Sequence, residues 1–227
     1  MDDFNEVKIL DSWVENAASW ITAVQQKQIE SRRRVTDKAI IGVIRCFGVE
    51  SVLDIGCGEG WLARELSALG MSVTGIDATP AFTENARRSC SGRFHLLEYE
   101  ALSARRLGET FDLAVCNFSL LGDKSVRSLF RVMPGLLNPG GRFVIQTVHP
   151  GLITGKHYRD GWRKGSWDGF SDQFRDPAPW YFRTLQSWTE LFTLNGLRIE
   201  LIKEPLYPDT GAVASLIMVG RAAEGGD

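Results

Sequence analysis

SVLDIGCGEGWLARELSALGMSVTGID, residues Ser51 to Asp77, contains an apolar strand, a glycine-rich turn, an amphipathic helix and a second strand ending in an acid. Ser51 to Ile55 is short and apolar. Gly56, Gly58 and Gly60 then alternate with Cys57 and Glu59. Glycine admits positive φ and lets a ligand approach the backbone with no Cβ in the way. Trp61, Leu62, Leu66 and Leu69 follow at helical spacing. Ser72 to Ile76 reads as the second strand, and Asp77 stands at its carboxyl end. In an open parallel sheet the ligand lies outside the carboxyl ends of the strands. An acid there is placed to accept hydrogen bonds from a ribose diol, so the turn reads as a nucleoside site.

The kind of nucleoside follows from the neighbours. The dinucleotide fingerprint G-x-G-x-x-G needs its third glycine where helix and strand pack closely. That position is Trp61 here, and the spacing is G-x-G-x-G. Asp54 precedes the loop, and a carboxylate at its mouth disfavours a pyrophosphate and suits a ligand with a cationic end. The segment through Gly60 resembles motif I of the class I S-adenosylmethionine-dependent methyltransferases, usually (V/L)LD(I/L)GCGxG. S-adenosylmethionine has a ribose, an adenine, an ammonium and a sulfonium, and no phosphate.

The rest of the chain agrees with an α/β class. At 227 residues it reads as one domain, with residues 1–48 as a helical cap and 149–184 as a lid insertion. Formal net charge is −2, which carries no nucleic-acid footprint. The densest basic run is Ser31-Arg32-Arg33-Arg34, and the start is acidic at Asp2 and Asp3. No signal pattern or membrane-length apolar run is evident, and the four cysteines lack C-x-x-C spacing, which fits a reduced, cytoplasmic setting. The three histidines lack metal-ligand spacing.

Trp13, Ala17, Trp20, Ile21 and Val24 predict an N-terminal helix, and 36–47 predicts a second. Thr79-Pro80 opens another, with Thr as cap and Pro in the first turn. Strands are expected at 93–98, 111–117 and 142–148, with a helix from Asp123 and a turn at Asn138–Gly141. Alternation of strand and helix means a parallel sheet. A last helix, 185–195, is followed by strands at 198–204 and 214–220 with no helix between, so these pair antiparallel. The resemblance implies a Rossmann-like seven-stranded sheet in the order 3-2-1-4-5-7-6, strand 7 antiparallel, with helices on both faces. It covers roughly 49–221, including the LNPGGRF turn.

The resemblance also implies roles, with S-adenosyl-L-methionine as cofactor. Asp54, Gly56, Cys57, Gly58, Gly60 and Trp61 lie around its amino-acid part, Asp77 takes the ribose diol, and Ala78 lies against adenine. The acid that receives the adenine amino group is Glu98, beside Tyr99, or else Glu100; the family usually has Asp followed by a small residue. Asn117, Phe118 and Ser119 border the amino-acid part and the methyl group. The Asn-Pro-Pro-Tyr/Phe tetrapeptide of nucleic-acid amine methylation is absent, which disfavours a base as acceptor. From the N-terminal cap, Trp20 is a candidate lid residue, and Arg32 or Arg33 a partner for the cofactor carboxylate.

The segment 149–183 is rich in aromatic and basic side chains, Lys156 among them, and long for a strand-to-helix connection. Tyr158, Trp162, Trp180 and Tyr181 are expected to meet a small organic acceptor. His149, just after the fifth strand, is the candidate base, needed only for a nucleophile protonated at pH 7. The leading expectation is methyl transfer to a small organic molecule, with aromatic acceptors among the candidates. Two alternatives stand beside it, an NAD-type oxidoreductase and a non-catalytic S-adenosylmethionine-binding protein.

Overall fold

The computed structural model describes residues 4–153 and 157–224, so Asp2, Asp3 and Lys156 lie outside the described residues. Five parallel strands form the body of the sheet: β1 (Ser51–Ile55), β2 (Ser72–Asp77), β3 (Arg93–Leu96), β4 (Phe111–Asn117) and β5 (Leu137–Thr147). A small ribbon, β6 (Gly161–Arg163) with β7 (Trp180–Phe182), stands apart. The chain then returns through β8 (Arg198–Lys203) and β9 (Leu216–Arg221), and β9 is antiparallel to both β5 and β8. The seven-stranded order is β3-β2-β1-β4-β5-β9-β8. This is the expected topology, with the ribbon inserted between the fifth strand and the final pair.

The helices are α1 (Glu6–Gln25), α2 (Asp37–Arg45), α3 (Trp61–Ala68), α4 (Pro80–Ser89), α5 (Ala104–Leu107), α6 (Lys124–Val132) and α7 (Leu185–Leu194). Two apolar cores bury the two faces of the sheet. On one, Ile55, Ala114 and Ile145 meet Leu129 and Phe130 of α6 and Phe192 of α7. On the other, Val52, Leu113 and Val144 meet Ile40 and Ile44 of α2 and Leu62 and Leu66 of α3. Burial on both faces explains why FDLAVCN is nearly continuous in apolar character. Each large aliphatic or aromatic side chain so buried stabilises the fold by about 1.5–3 kcal/mol. β8 is one of the two edges of the sheet, and Arg198, Glu200 and Lys203 keep it charged.

Three local results differ from the sequence expectation. The Asn138–Gly141 turn is taken into the irregular start of β5, because Gly140 N–H donates to Ala223 O and Ala222 N–H to Gly141 O. Strand β3 stops at Leu96, two residues early, where a short turn of helix over Tyr99–Ala101 begins to form. Ahead of α2, Arg32–Thr36 forms a π-helical turn. Such turns are rare and frequently mark functional sites.

Among the described residues no helix is long and apolar enough to cross a membrane.

Candidate functional site

A cavity of about 570 Å³ opens at the carboxyl ends of β1, β2 and β4, the switch point of the sheet. Its floor is the loop after β1. Gly56 and Gly58 have φ of 72° and 55°. A Cβ on Gly56 would collide with Ser119 Cβ and lie 2.9 Å from the Tyr99 hydroxyl, so only glycine fits. A Cβ on Gly58 would meet nothing closer than Trp20 Nε1 at 3.9 Å, so there the loop leaves open space toward the cavity. Gly60 does not line the cavity; it takes φ 92° where the loop backs onto Ala86 of α4.

Asp77 is bound into this loop. Gly58 N–H donates to Oδ2 at 2.9 Å and Thr79 N–H to Oδ1 at 2.8 Å. Each carboxylate oxygen retains a lone pair for a ligand hydroxyl. Burial raises the Asp77 pKa above the usual carboxylate value, and the two backbone amides oppose that shift. Asp54 sits one layer behind, 1% exposed, and does not line the cavity. Burial first, and the neighbouring Asp77 charge second, push its pKa up to about 7. Its Oδ2 is buried with no hydrogen-bond partner. The sequence reading put a charged Asp54 at the mouth; it acts instead from beneath the loop, and its charge is costly there without a compensating cation.

The end of β4 supplies the third wall. Phe118 has φ 55°, an outlier for a bulky residue, and its N–H donates to Gln146 O at 2.8 Å. Ser119 Oγ donates to Ile55 O at 2.7 Å and Tyr99 Oη to Ser119 O at 3.0 Å, which stitches β1, β3 and β4 into one rim. Asn117 Oδ1 is buried and unpartnered beside them. Asn117, Phe118, Ser119, Ala78, Glu98, Tyr99, Glu100, Cys57, Trp61 and Trp20 all line the cavity, as do Gly56, Gly58 and Asp77.

The roof comes from α1 and the π-helical turn. Trp13 and Trp20 face inward, with ring centroids 5.0 Å apart, and Trp13 meets Phe82 of α4 at 6.1 Å. Trp13 is seven residues before Trp20, hence on the same helix face. That spacing could have revealed it as a lining residue; Phe82 had no such signal. Arg32 lies over the Trp61 ring at 4.4 Å and pairs through Nε with Asp37 at 2.9 Å. Its Nη2 is buried without a protein partner. Arg33 is exposed and does not line the cavity, so of the two arginines it is Arg32 that the turn brings to the site.

The expected aromatic lid is placed differently. Trp167, Phe170 and Phe174 pack on one another and against Trp13 and Trp20, outside the roof. Ser12 Oγ donates to Asp176 O at 2.6 Å, and Asn16 exchanges hydrogen bonds with the Arg175 backbone at 2.8 Å each. These contacts account for two buried polar residues in α1. Tyr158, Trp162, Trp180 and Tyr181 do not line the cavity. Tyr158 Oη accepts from Leu185 N–H, and the other three build the β6–β7 ribbon. The ribbon reaches the site through backbone: Tyr181 N–H donates to Leu121 O at 2.7 Å. Arg183 Nη1 donates to Gly122 O at 2.9 Å and Nη2 to Asp123 O at 3.0 Å. His149 is likewise committed elsewhere. Its Nε2 is 2.7 Å from Glu204 Oε1, and its Nδ1 accepts from Gly151 N–H. The expectation of a base at His149 is corrected on that ground, because the ring does not line the cavity.

Comparison with known proteins agrees with this fold. Residues 52–141 match a family described as a methyltransferase domain. The chain is 32% identical over 114 residues to a mitochondrial ubiquinone biosynthesis O-methyltransferase of Schizosaccharomyces pombe; the match covers 48% of this chain and only 41% of that one. It is 28% identical over 185 residues to an uncharacterized methyltransferase of Mycobacterium tuberculosis, covering 81% of this chain and 89% of the relative. Among solved structures, Burkholderia thailandensis 1,6-didemethyltoxoflavin-N1-methyltransferase, with bound 1,6-didemethyltoxoflavin and S-adenosylhomocysteine, superposes with a TM-score of 0.63 at 19% identity. That match covers 92% of this chain and 87% of the other.

Proposed function

This chain belongs to the class I S-adenosylmethionine-dependent methyltransferase family, and from that premise we propose that it transfers the methyl group of S-adenosylmethionine to a small organic acceptor by in-line displacement. The observation that carries the reading is the cradle itself. Gly56 and Gly58 hold the backbone open beside Asp77, and two buried polar atoms nearby, Arg32 Nη2 and Asn117 Oδ1, lack protein partners. Buried polar groups without partners are rare in proteins and point to a ligand.

The residues present fit the cofactor. Arg32 would hold its carboxylate, Asp77 its ribose hydroxyls, and Ala78, Glu98 and Tyr99 its adenine. The bound cofactor supplies an electrophilic methyl on a sulfonium. The chain's own task is then geometric: to hold the acceptor's nucleophile in line with that methyl. Phe118, with its strained backbone, and Leu121 line the cavity and would wall the side on which the methyl is presented. Trp13, Trp20 and Phe82 would shield the bound cofactor from water. The names of the relatives, O-methylation in ubiquinone biosynthesis and N1-methylation of 1,6-didemethyltoxoflavin, support an organic acceptor.

An NAD-type oxidoreductase is not favoured, since Trp61 stands where the dinucleotide turn needs glycine. The test is calorimetry with S-adenosylmethionine, S-adenosylhomocysteine and NAD. It is followed by assay of S-adenosylhomocysteine formation across phenols, amines, carboxylates and thiols. Binding of the adenosyl ligands with turnover on one acceptor class supports the proposal. Binding without turnover on any class favours a non-catalytic binding protein.

A further inference from the structure

The cavity has a second end, away from Asp77, where the start of α1 crosses the start of α6. Glu6 lines the cavity beside Gly122 and Ser125. Its Oε1 accepts from Ser125 N–H at 3.0 Å and Ser125 Oγ at 3.1 Å, so a carboxylate from α1 caps α6 across 119 residues of sequence. That fixes the side chain against Gly122, where a Cβ would lie 2.6 Å from the same oxygen. Oε2 makes no hydrogen bond among the described residues. Arg183, which reaches the same Gly122, is spent on Gly122 O and on the backbone and carboxylate of Asp123, and it does not line the cavity. It cannot serve an anion in the cavity.

The walls around this end are apolar. Val7, Leu10 and Val148 line it and are also open to solvent, at 65, 37 and 44% exposure. They form an apolar rim around a mouth. A molecule seated there meets hydrocarbon on its sides and one fixed carboxylate inside.

We propose that Glu6 selects the methyl acceptor: an apolar molecule whose nucleophile is a neutral hydroxyl or N–H group that donates to Glu6 Oε2, with carboxylates and other anions rejected. The inference rests on the methyltransferase reading above and narrows it to O- or N-methylation. A fixed carboxylate disfavours an anionic group seated beside it by charge repulsion. A hydroxyl or N–H gains a charge-assisted hydrogen bond. In the transfer, the bond from the nucleophile to the methyl carbon forms as the methyl–sulfur bond breaks. The sulfonium becomes a neutral thioether, and the nucleophile's proton passes to Glu6 and then to solvent.

The test uses full-length protein saturated with S-adenosylhomocysteine and three probes that share one apolar body: 4-propylphenol, 4-propylaniline and 4-propylbenzoate. The phenol and aniline should bind roughly tenfold or more tightly than the benzoate. Glu6→Gln retains an oxygen for Ser125, so it should melt within about 2 °C of wild type while narrowing the preference to about threefold or less. Equal binding of the benzoate by wild type, failure of all three probes, or a preference that survives in Glu6→Gln would overturn the assignment. Loss of S-adenosylhomocysteine binding itself would instead remove the methyltransferase reading on which it rests. The wild-type ranking stands as a test even if the variant does not fold.

Discussion

Gly58 N–H donates to Asp77 Oδ2 at 2.9 Å, which ties the glycine loop after β1 to the acid at the end of β2. One contact thus sets both the floor of the cavity and the orientation of the Asp77 carboxylate. The geometry distinguishes the roles of neighbouring residues that look alike in the sequence, and each distinction can be measured.

Gly56→Ala and Gly58→Ala should behave differently. At Gly56 the added methyl meets Ser119 and Tyr99, and the positive φ adds about 1–2 kcal/mol of strain. This variant should melt markedly lower than wild type. At Gly58 only the backbone term applies, so the protein should fold and lose mainly ligand affinity. Paired thermal melts and S-adenosylhomocysteine titrations check both; equal melting temperatures would contradict the packing at Gly56.

Arg32→Ala should weaken S-adenosylhomocysteine binding by roughly tenfold or more, because a charged hydrogen-bond partner is lost. Arg33→Ala should change it by less than about twofold. Side-by-side calorimetry of the two variants decides the register, and the reverse ranking would place Arg33 at the site.

Asp54 gives the ligand-free fold a distinct pH signature. Its pKa is about 7 in the folded chain against 3.8 in the ordinary state, so the folded form binds the proton more tightly. The stability this contributes is complete below pH ~4 and falls as pH rises through about 7. Asp54→Asn removes the dependence. Relative to wild type, the variant should gain stability from pH 4 to 7 and hold a constant advantage above, of about 1 kcal/mol or more, ~2–4 °C in Tm. A wild-type protein that grows more stable than Asp54→Asn over that range would contradict the buried, unpaired carboxylate.

Arg183→Met should destabilise by about 2–4 kcal/mol, since it leaves the Gly122 and Asp123 carbonyls without their donors. Burial lowers the Arg183 pKa to about 10, yet the group stays charged at neutral pH. Chemical denaturation measures the loss. An unchanged midpoint would mean that the ribbon does not hold the turn before α6.

The βα turn, Asp77 and the ends of β4 were legible in sequence because their signals are local: glycine spacing, an acid at a strand end, an unbroken apolar run. The reversed β9 was legible because two strands follow one another with no helix between. Arg32 was only half legible. Helical periodicity places residues on a face, but the π-helical turn shifts that face, and nothing in Ser31-Arg32-Arg33-Arg34 marks the shift. The 149–184 segment was misread for a related reason. Its aromatic rings suggested a lid over the ligand, whereas Ser12 and Asn16, two unremarkable polar residues, strap it to the outside of α1. Glu6 had no sequence signal at all, because its partner Ser125 is 119 residues away.

The central claim is that the cavity between the glycine loop and α1 takes S-adenosylmethionine. Isothermal titration of the purified protein, with wild type and Asp77→Ala in parallel, tests it directly. One S-adenosylmethionine per chain, with affinity at least roughly tenfold weaker in Asp77→Ala, is the expected result. No heat of binding with S-adenosylmethionine, or saturable binding of NAD in its place, would contradict it.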